Sequence, residues 1–302
     1  MESVREEKTS RNSRKYLRKK KNKRFIWWIG ILVISIFLMF LFQYLGIFPF
    51  NSSILAYDRV NILIVGCDEI ENISRADTIV FLSIAPKTRD ALAVSIPRDT
   101  RVEIPGRGMD KVNHAYAFGG IDLLKKTVSS FLDVPLHFYV IADFRGFVQV
   151  INTLGGVEVE VEKEMHYTDK AGGLTINLYP GKQLLDGEKA LEYVRFRMDK
   201  LGDWGRIQRQ QKLAIALINK MMKYENFNKI PKLLEEVKGS LETDIEMKDV
   251  MALINLFKGV EQEKIKFEII QAKPVYIEGI SYLEPEVKEV RERIKGLLDH
   301  QD

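Results

Sequence analysis

The stretch Asn61-Ile62-Leu63-Ile64-Val65-Gly66 decides the fold, because an unbroken apolar run follows its first residue. Two more runs of this kind come next, at residues 78–85 and 92–96. Short apolar runs rich in β-branched residues predict strands, and strands that lack a polar face are covered by other elements on both sides. The three runs therefore predict a central sheet inside an α/β sandwich.

Helical and strand patterns alternate over the rest of the chain. Apolar residues recur at helical spacing in residues 121–131 and 144–154, and Gly155-Gly156 marks the end of the second helix. Further helices are predicted to begin at Asp186 and Asp203. The other predicted elements are strands at 137–142, 157–161 and 265–270 and helices at 229–238, 247–258 and 284–298. No internal repeat or low-complexity segment interrupts this series, so one compact unit is expected.

Charge is distributed unevenly along the chain. Residues 1–24 hold eleven Lys and Arg and three Glu, a net charge of +8, whereas the whole chain of 302 residues carries +4. The remaining residues therefore carry −4, and the basic balance describes the tail rather than the folded body. With 46% hydrophobic residues, the body can bury a substantial core.

A long uncharged segment follows the basic tail. No charged residue occurs in residues 25–50, and the apolar run exceeds the roughly 20 residues that cross a bilayer. This predicts a transmembrane signal-anchor helix at 25–47, a linker at 48–58 and an extracytoplasmic domain at 59–302. The Lys and Arg excess keeps residues 1–24 in the cytoplasm, which gives a single-pass type II protein of the cell membrane. A cleaved signal peptide is the rival interpretation, although the run is long for one and no A-x-A site follows it.

The sequence lacks the signatures of several enzyme classes. Its single cysteine, Cys67, permits no intramolecular disulfide. Four histidines without an H-x-x-x-H spacing do not indicate a zinc site, and His114 is interpreted as structural rather than as a catalytic base. No G-x-S-x-G and no G-x-x-x-x-G-K-[ST] occurs, which argues against a serine hydrolase and a P-loop nucleotide-binding protein.

Arg98 is given a fixed direction by the sequence Ser95-Ile96-Pro97-Arg98-Asp99-Thr100. Proline fixes its own φ and biases Ile96 toward extended geometry, so the Arg98 guanidinium leaves the strand end in a defined direction. Asp99 is close enough in the chain to orient it. A guanidinium presented in this way predicts contact with an anionic ligand, while a surface loop with an ion pair is the plainer interpretation.

Two aspartates are predicted at one edge of the sheet. Asp68 follows the first strand at its carboxyl end, where open α/β sheets bind their ligands. Asp77 precedes the second strand, which can return beside the first. Two carboxylates that converge there suit a hard divalent ion such as Mg²⁺, and Arg75 and Arg98 flank them. Taken singly, each aspartate is explained equally well as a turn or cap residue.

More cations lie downstream. Arg195 and Arg197 are two residues apart, so an extended segment would project both guanidiniums from one face as a fork. Arg206, Arg209 and Gln210 fall on one side of a helix near its N-terminal turn, where the helix dipole also favours an anion. The arginines together suit a phosphate group, whose oxygens accept paired hydrogen bonds. The alternative interpretation of Arg206, Arg209 and Gln210 is a solvated helix face.

Several motifs in a fixed order resemble the LytR-CpsA-Psr family. The segments that carry the resemblance are residues 61–68, Arg75-Ala76-Asp77-Thr78, residues 95–100, residues 111–120, Asp143-Phe144-Arg145-Gly146-Phe147, Leu154-Gly155-Gly156-Val157, Tyr193-Val194-Arg195-Phe196-Arg197 and Gly205-Arg206-Ile207-Gln208-Arg209-Gln210. They cover residues 60–215 and follow the predicted membrane anchor. The chain departs from the family pattern in one place. Relatives often carry an arginine shortly after the first aspartate, whereas Glu69-Ile70-Glu71 follows Asp68 here. Arg75 would therefore take the place of that arginine.

The resemblance implies a fold and an activity. The fold is a single α-β-α sandwich with a central mixed sheet, placed outside the cytoplasm. The activity is that of a phosphotransferase of cell wall biogenesis, which takes a teichoic acid or another anionic glycopolymer from an undecaprenyl pyrophosphate carrier. The polymer passes to a muramic acid hydroxyl of peptidoglycan, a phosphodiester forms and undecaprenyl phosphate leaves. The implied partners are the polyprenyl-linked glycopolymer, peptidoglycan and the membrane, with no nucleic acid.

The resemblance also implies which residues form the site. Asp68 and Asp77 would bind Mg²⁺ or another divalent cation, and Asp77 or Asp99 would deprotonate the acceptor. The residues expected to hold the pyrophosphate are Arg75, Arg98, Arg195, Arg197 and Arg206, supported by Lys111, Arg209 and Gln210. Arg75 and Arg98 would also stabilise charge in the reaction. Such a reaction depends on positioning and charge stabilisation and needs no covalent nucleophile.

Two other functions are alternatives at the level of sequence. A pyrophosphatase of the lipid carrier would use the same residues with water as the acceptor. A regulatory or attenuator protein would have to contact DNA through residues 1–24, which lack a helix-turn-helix. Attraction to anionic lipid explains the basic charge of this tail more simply, because the tail directly precedes the membrane segment.

Overall fold

The computed structural model of the chain describes residues 52–67, 76–169, 174–196, 198, 203–221, 233, 235–237, 239–257 and 264–299. Within that part of the chain, no helix is long and apolar enough to cross a membrane. The predicted tail and membrane helix, residues 1–47, lie outside it, and so do Asp68, Arg75 and Arg197. One compact unit runs from Ser52 to Asp302.

Strands and helices follow one another in that unit. The strands of the described residues are β1 (Val60–Cys67), β2 (Thr78–Ala85), β3 (Asp90–Ser95), β4 (Arg101–Ile104), β5 (Gly108–Lys111), β6 (Phe138–Asp143), β7 (Val157–Val161), β8 (Met165–Asp169), β9 (Leu174–Leu178), β10 (Gly181–Leu185), β11 (Leu241–Thr243), β12 (Ile265–Ile269), β13 (Lys273–Ile277) and β14 (Ile280–Glu284). The helices are α1 (His114–Leu132), α2 (Phe144–Thr153), α3 (Gly187–Arg195), α4 (Asp203–Met221), α5 (Met247–Phe257) and α6 (Val287–Asp299). A short 3₁₀ helix, Ser53–Ala56, precedes β1.

The central sheet is mixed. Its six strands have the order β11-β6-β1-β2-β3-β12. Strand β1 pairs antiparallel with β2 and parallel with β6, and β3 pairs antiparallel with β2 and parallel with β12. Because β1 and β6 are parallel neighbours, their carboxyl ends meet at the same edge of the sheet.

Helices cover both faces of this sheet. Leu63 and Val65 of β1 face a core that also contains residues of α1 and α6. Val60 and Ile62 belong to a separate core, which includes residues of α5 and the 3₁₀ helix. Successive side chains of a strand point to opposite faces, so a strand without a polar face contributes to both cores. This is the sandwich that the apolar runs predict.

A third core is built from β7 to β10 and from α2, α3 and α4. The strand β7 alternates strictly, with Val159 buried between the exposed Glu158 and Glu160. Helix α3 begins where Asp186 caps it, since the Asp186 carboxylate accepts a hydrogen bond from the Lys189 N–H at 2.9 Å. These elements carry Arg195 and the residues of α4 toward the candidate site.

The predicted elements are found with shifts at their ends. Gly155 and Gly156 follow α2 with φ of 76° and 84°, the left-handed conformation that ends a helix. The terminal helix begins at Val287 instead of residue 284, because Glu284 ends β14 and pairs with Lys273. The predicted helix at 229–238 falls mostly outside the described residues. The hairpins β4–β5, β8–β9 and β13–β14 are not among the predicted elements.

The described part of the predicted linker, residues 48–58, is folded. Ile54 is fully buried, and the Ser52 hydroxyl donates a hydrogen bond of 2.6 Å to Asp249 of α5. The folded unit thus begins at Ser52, ahead of the predicted domain boundary at residue 59.

Candidate functional site

One edge of the sheet brings together segments that lie apart in the sequence. Gly66 of β1 pairs with Thr78 of β2 and with Ala142 of β6. The Asp77 N–H donates a hydrogen bond of 2.9 Å to the Gly66 carbonyl. The carboxyl ends of β1 and β6 and the start of β2 therefore lie side by side, at the edge where open α/β sheets bind ligands.

Gly66 permits a close approach at this edge. A Cβ atom at position 66 would lie 3.0 Å from the Cβ of Thr78. The Thr78 hydroxyl in turn accepts a hydrogen bond of 3.4 Å from Nε2 of Gln210, which brings α4 to the same place. A larger residue at position 66 would push against Thr78 and disturb this contact.

Arg98 and Asp77 meet as an ion pair. The Ile96 N–H bonds to the Ile79 carbonyl at 2.9 Å, which continues β3 alongside β2 and carries Pro97 and Arg98 toward Asp77. Nη1 of Arg98 then contacts Oδ1 of Asp77. The two side chains are 26% and 23% exposed, so the pair is half-buried and reachable from solvent.

Asp99 serves a different partner from the one expected. Its Oδ2 lies 3.8 Å from Nε of Arg98, whereas its Oδ1 accepts a 2.7 Å hydrogen bond from Nζ of Lys111. Of these two aspartates, Asp77 is therefore the one in direct contact with Arg98. Asp77, Arg98, Asp99 and Lys111 form one series of alternating charges, named here the ion-pair network. Its two carboxylates balance its two cations.

Arg195 lies at the same edge, but not in an extended segment. It is the last residue of α3, and its guanidinium carbon is 4.8 Å from the ring centroid of Phe144. Phe144 directly follows Asp143, which pairs with Cys67 at the carboxyl end of β1. The strand alternation predicted for a fork with Arg197 does not apply to a helical Arg195, and Arg197 lies outside the described residues.

The three predicted residues of α4 divide between two places. Gln210 reaches Thr78, and Arg206, one helical turn earlier on the same side, is 4% exposed. Arg209 is 2% exposed and donates from Nη2 to the Phe196 carbonyl, with its guanidinium 5.3 Å from the Phe196 ring centroid. Arg209 therefore ties Phe196, the residue that follows α3, to α4, and these contacts lie outside the ion-pair network.

Arg209 belongs to a second polar group, named here the Arg209 cluster, made of Arg209, Glu162, Tyr193 and Phe196. Nη1 of Arg209 is 3.3 Å from Oε1 of Glu162, and the Tyr193 hydroxyl donates a 2.9 Å hydrogen bond to Oε2. Burial, with the Glu162 carboxylate next, raises the pKa of the Tyr193 phenol, so Tyr193 stays protonated as the donor.

Two further residues near the network carry only weak sequence signals. Arg145 contacts the Asp143 carboxylate at 3.1 Å with its own side chain 59% exposed, so it adds a cation to the edge. It stands inside the motif Asp143-Phe144-Arg145-Gly146-Phe147. Tyr282 of β14 has its ring centroid 5.6 Å from Nζ of Lys111. It lies beyond residue 215, where no motif pointed to the site. His114 pairs with Asp110 at 3.0 Å.

Since Asp68 lies outside the described residues, Asp77 is the described carboxylate of the predicted metal site. One of its oxygens contacts Arg98, and the carboxylate is still partly exposed. Within the described residues, no group of three or more His, Cys, Asp or Glu could hold a metal ion by itself. Mg²⁺ commonly takes one or two carboxylates, substrate phosphates and water, so a single carboxylate beside a phosphate site is compatible with it.

The geometry defines an α/β domain that brings Arg98, Lys111 and Arg195 together at the edge where β1 ends. The model of the LytR_cpsA_psr family matches residues 36–297. The chain therefore belongs to the LytR-CpsA-Psr family, and the resemblance seen in the sequence is confirmed.

Named relatives support this membership. TagU of Oceanobacillus iheyensis, a polyisoprenyl-teichoic acid--peptidoglycan teichoic acid transferase, is 36% identical over 255 residues, which is 81% of this chain and 78% of the relative. The crystal structure of Bacillus subtilis TagV is similar with a TM-score of 0.70 and 33% identity, covering 80% of this chain and 98% of that chain. The family protein YwtF (TagT) with bound octaprenyl pyrophosphate lipid has a TM-score of 0.63 and 29% identity, with coverage of 82% and 91%.

Proposed function

We propose that this chain is a phosphotransferase that moves a teichoic acid or a similar anionic glycopolymer from an undecaprenyl pyrophosphate carrier to a muramic acid hydroxyl of peptidoglycan. The observation that carries the proposal is the ion-pair network at the carboxyl end of β1, in a member of this family. Two kinds of relative support it: one named for this transfer and one structure with octaprenyl pyrophosphate bound.

The reaction makes one P–O bond and breaks another. The acceptor hydroxyl oxygen attacks the phosphorus that bears the glycopolymer, and the bond from that phosphorus to the bridging oxygen of the pyrophosphate breaks. The products are a phosphodiester to peptidoglycan and polyprenyl phosphate, and the hydroxyl proton goes to a base. Charge develops on the phosphate oxygens and the bridging oxygen, so preorganised cations contribute most of the catalysis.

We assign the cations at this edge of the sheet to stabilise the negative charge that develops on the phosphate oxygens. Arg98 is held by Asp77 and Lys111 by Asp99, so both are oriented before the substrate arrives. A phosphate oxygen can accept a hydrogen bond from each cation, because both ion pairs are half-buried and remain accessible to solvent. Arg195 brings further positive charge to this edge, and Gln210 supports Thr78. Arg206 is 4% exposed, so its assignment to the ligand comes from the family pattern. Arg75 and Arg197 are assigned to the same ligand from the family pattern.

A divalent cation is part of the proposal. Asp77 would hold Mg²⁺ together with Asp68, and the ion when bound would neutralise phosphate oxygens. Asp77 and Asp99 are the two carboxylates of the network that can accept the proton of the acceptor hydroxyl. Each is already oriented by a cation, Arg98 for Asp77 and Lys111 for Asp99. A carboxylate held in this way is fixed in direction, which favours proton transfer in a defined geometry.

Anchoring in the cell membrane, with residues 1–24 in the cytoplasm and the domain outside, completes the proposal. The uncharged segment 25–47 follows the basic tail, and the family match begins at residue 36, inside that segment. A single-pass type II arrangement keeps the domain at the surface in which a lipid-linked donor resides.

The test is transfer by the full chain in detergent, with lipid-linked polymer as donor and peptidoglycan fragments as acceptor. We expect Arg98→Ala to lower kcat/KM by about 10²–10³, the usual loss for one charge-stabilising group. Arg293→Ala is the matched control, because Arg293 also pairs with a carboxylate, Glu268 at 2.8 Å, but lies on α6 with its side chain 62% exposed. Equal rates for wild type and Arg98→Ala would remove Arg98 from the site. Release of polymer at the same rate without peptidoglycan would instead identify a pyrophosphatase.

A further inference from the structure

The C-terminal hairpin β13–β14 is bonded to the loop that carries Asp99. The Leu283 N–H donates a 2.9 Å hydrogen bond to the Asp99 carbonyl, and Thr100 forms a parallel bridge with Leu283. The hairpin lies outside the motifs at residues 60–215, yet it fixes the backbone from which the Asp99 carboxylate projects. It is therefore placed to influence the ion-pair network.

Tyr282 of this hairpin faces the cations of the neighbouring hairpin β4–β5. Its ring centroid is 5.6 Å from Nζ of Lys111 and 6.0 Å from the guanidinium carbon of Arg101. Arg101 is also paired with Glu284 of β14 at 3.2 Å, so the two hairpins are linked by charge as well as by the ring. Arg101 and Lys111 are opposite each other in the β4–β5 ladder, which explains why one ring reaches both.

The ring limits where the Lys111 ammonium can sit. Its side chain is 18% exposed, and Nζ has the Asp99 carboxylate at 2.7 Å and the Tyr282 ring at cation–π distance. Lysine has a long flexible stem, so a carboxylate alone would leave the ammonium several rotamers. Two contacts of different kinds select one position.

We propose that Tyr282 is a positioning residue of the phosphotransfer site, which acts through the face of its ring on Lys111. This inference rests on the proposed function, because Lys111 is assigned there to the pyrophosphate. A cation displaced by about 1 Å contributes much less to transition-state stabilisation, so the ring affects the rate without touching the substrate.

The experiment is a double-mutant cycle in the full chain in detergent, with Tyr282→Leu, Lys111→Met and the combined variant. Tyr282→Leu removes the ring and keeps apolar bulk. We expect it to lower kcat/KM about tenfold, within the range for a partly desolvated cation–π contact. In the Lys111→Met background, the same change is expected to cost less than about twofold, because the group through which it acts is gone.

Two further variants separate positioning from simple packing. Tyr282→Phe keeps the ring face and is expected to restore most of the activity that Tyr282→Leu loses. Tyr276→Leu is the matched control on the same hairpin, since Tyr276 is 78% exposed. It is expected to behave as wild type. Equal losses from Tyr282→Leu with and without Lys111, wild-type activity of Tyr282→Leu, or a loss in Tyr282→Phe as large as in Tyr282→Leu would each overturn the proposal.

The same variants are also titrated with inorganic pyrophosphate and Mg²⁺, so that failure of the proposed function can be recognised separately. A wild-type protein that binds pyrophosphate but transfers no polymer contradicts the proposed function alone. The cycle on pyrophosphate affinity then still decides the role of Tyr282, and coupling between Tyr282 and Lys111 is the supporting result. An affinity that neither substitution changes overturns the positioning role.

Discussion

The ion-pair network and the Arg209 cluster both pair an arginine with a carboxylate, but they differ in what surrounds the arginine. In the network, the Arg98 and Asp77 side chains are 26% and 23% exposed. In the cluster, the Arg209 side chain is 3% exposed and also contacts a backbone carbonyl and an aromatic ring. Arginines that look alike in the sequence thus divide into one that solvent reaches and one that the protein encloses.

The physical basis of this division is how far each pair is removed from water. A buried charge is tolerated only when the protein supplies hydrogen bonds to it, and Nη1 and Nη2 of Arg209 are directed at Glu162 and at the Phe196 carbonyl. A half-buried pair keeps access to solvent, and its cation can exchange part of its contacts for a phosphate. Substitutions in the network should change the rate, whereas substitutions in the cluster should change the stability.

The largest expected effect is on the rate, from the carboxylates of the network. One of the variants Asp77→Asn and Asp99→Asn removes the base that accepts the proton. At saturating Mg²⁺, that variant is expected to have a kcat about 10²–10⁴ lower than wild type. Asp77→Asn is also expected to raise the Mg²⁺ concentration that gives half-maximal rate, because a carboxylate ligand is lost. Initial rates of transfer over a series of Mg²⁺ concentrations measure both effects.

Glu162→Gln is the matched control from the Arg209 cluster. This substitution also converts a carboxylate that faces an arginine into an amide. The transfer rate of the variant is expected to stay within about threefold of wild type, because Glu162 has no proposed catalytic role. Losses below tenfold in both Asp77→Asn and Asp99→Asn would show that the network contains no catalytic base.

The sheet was predictable from the sequence, and the division between the two arginine sites was not. An apolar run such as residues 60–66 directly indicates that both faces of the strand are buried, because nearly every residue of the strand is apolar. Arg206, Arg209 and Gln210 share a helix face by spacing, but spacing cannot show that Phe196 and Glu162 occupy the donors of Arg209. The contact of Tyr282 with Lys111 joins residues 171 positions apart through two hairpins, and no local pattern encodes such a pairing.

The next effect is on stability. Arg209→Met is expected to lower the free energy of unfolding by about 2–3 kcal/mol, because the Phe196 carbonyl and Glu162 both lose a charged donor. This loss is small for the removal of one partner of a buried ion pair, because the Glu162 side chain is 40% exposed and water can hydrate it. Thermal unfolding followed by circular dichroism measures this change. Arg98→Ala should leave Tm within a few degrees of wild type, and a larger drop in Tm for Arg98→Ala than for Arg209→Met would reverse the comparison.

The smallest effect concerns the pH dependence of the Arg209 cluster. Tyr193 is fully buried, and its pKa is raised in the folded protein above the ordinary value of 10.0, first by burial and then by Glu162. A raised pKa means that the contribution of Tyr193 to stability is complete below about pH 10 and declines as the pH rises toward the folded-state pKa. Tyr193→Phe removes the hydrogen bond to Glu162 at a cost of about 1 kcal/mol at neutral pH. The stability difference between wild type and Tyr193→Phe, measured by urea unfolding, should be constant from pH 7 to 9.5 and shrink above pH 10. A difference that grows above pH 10 would mean that the folded protein accommodates the phenolate, and the cluster would then resemble the solvent-accessible network.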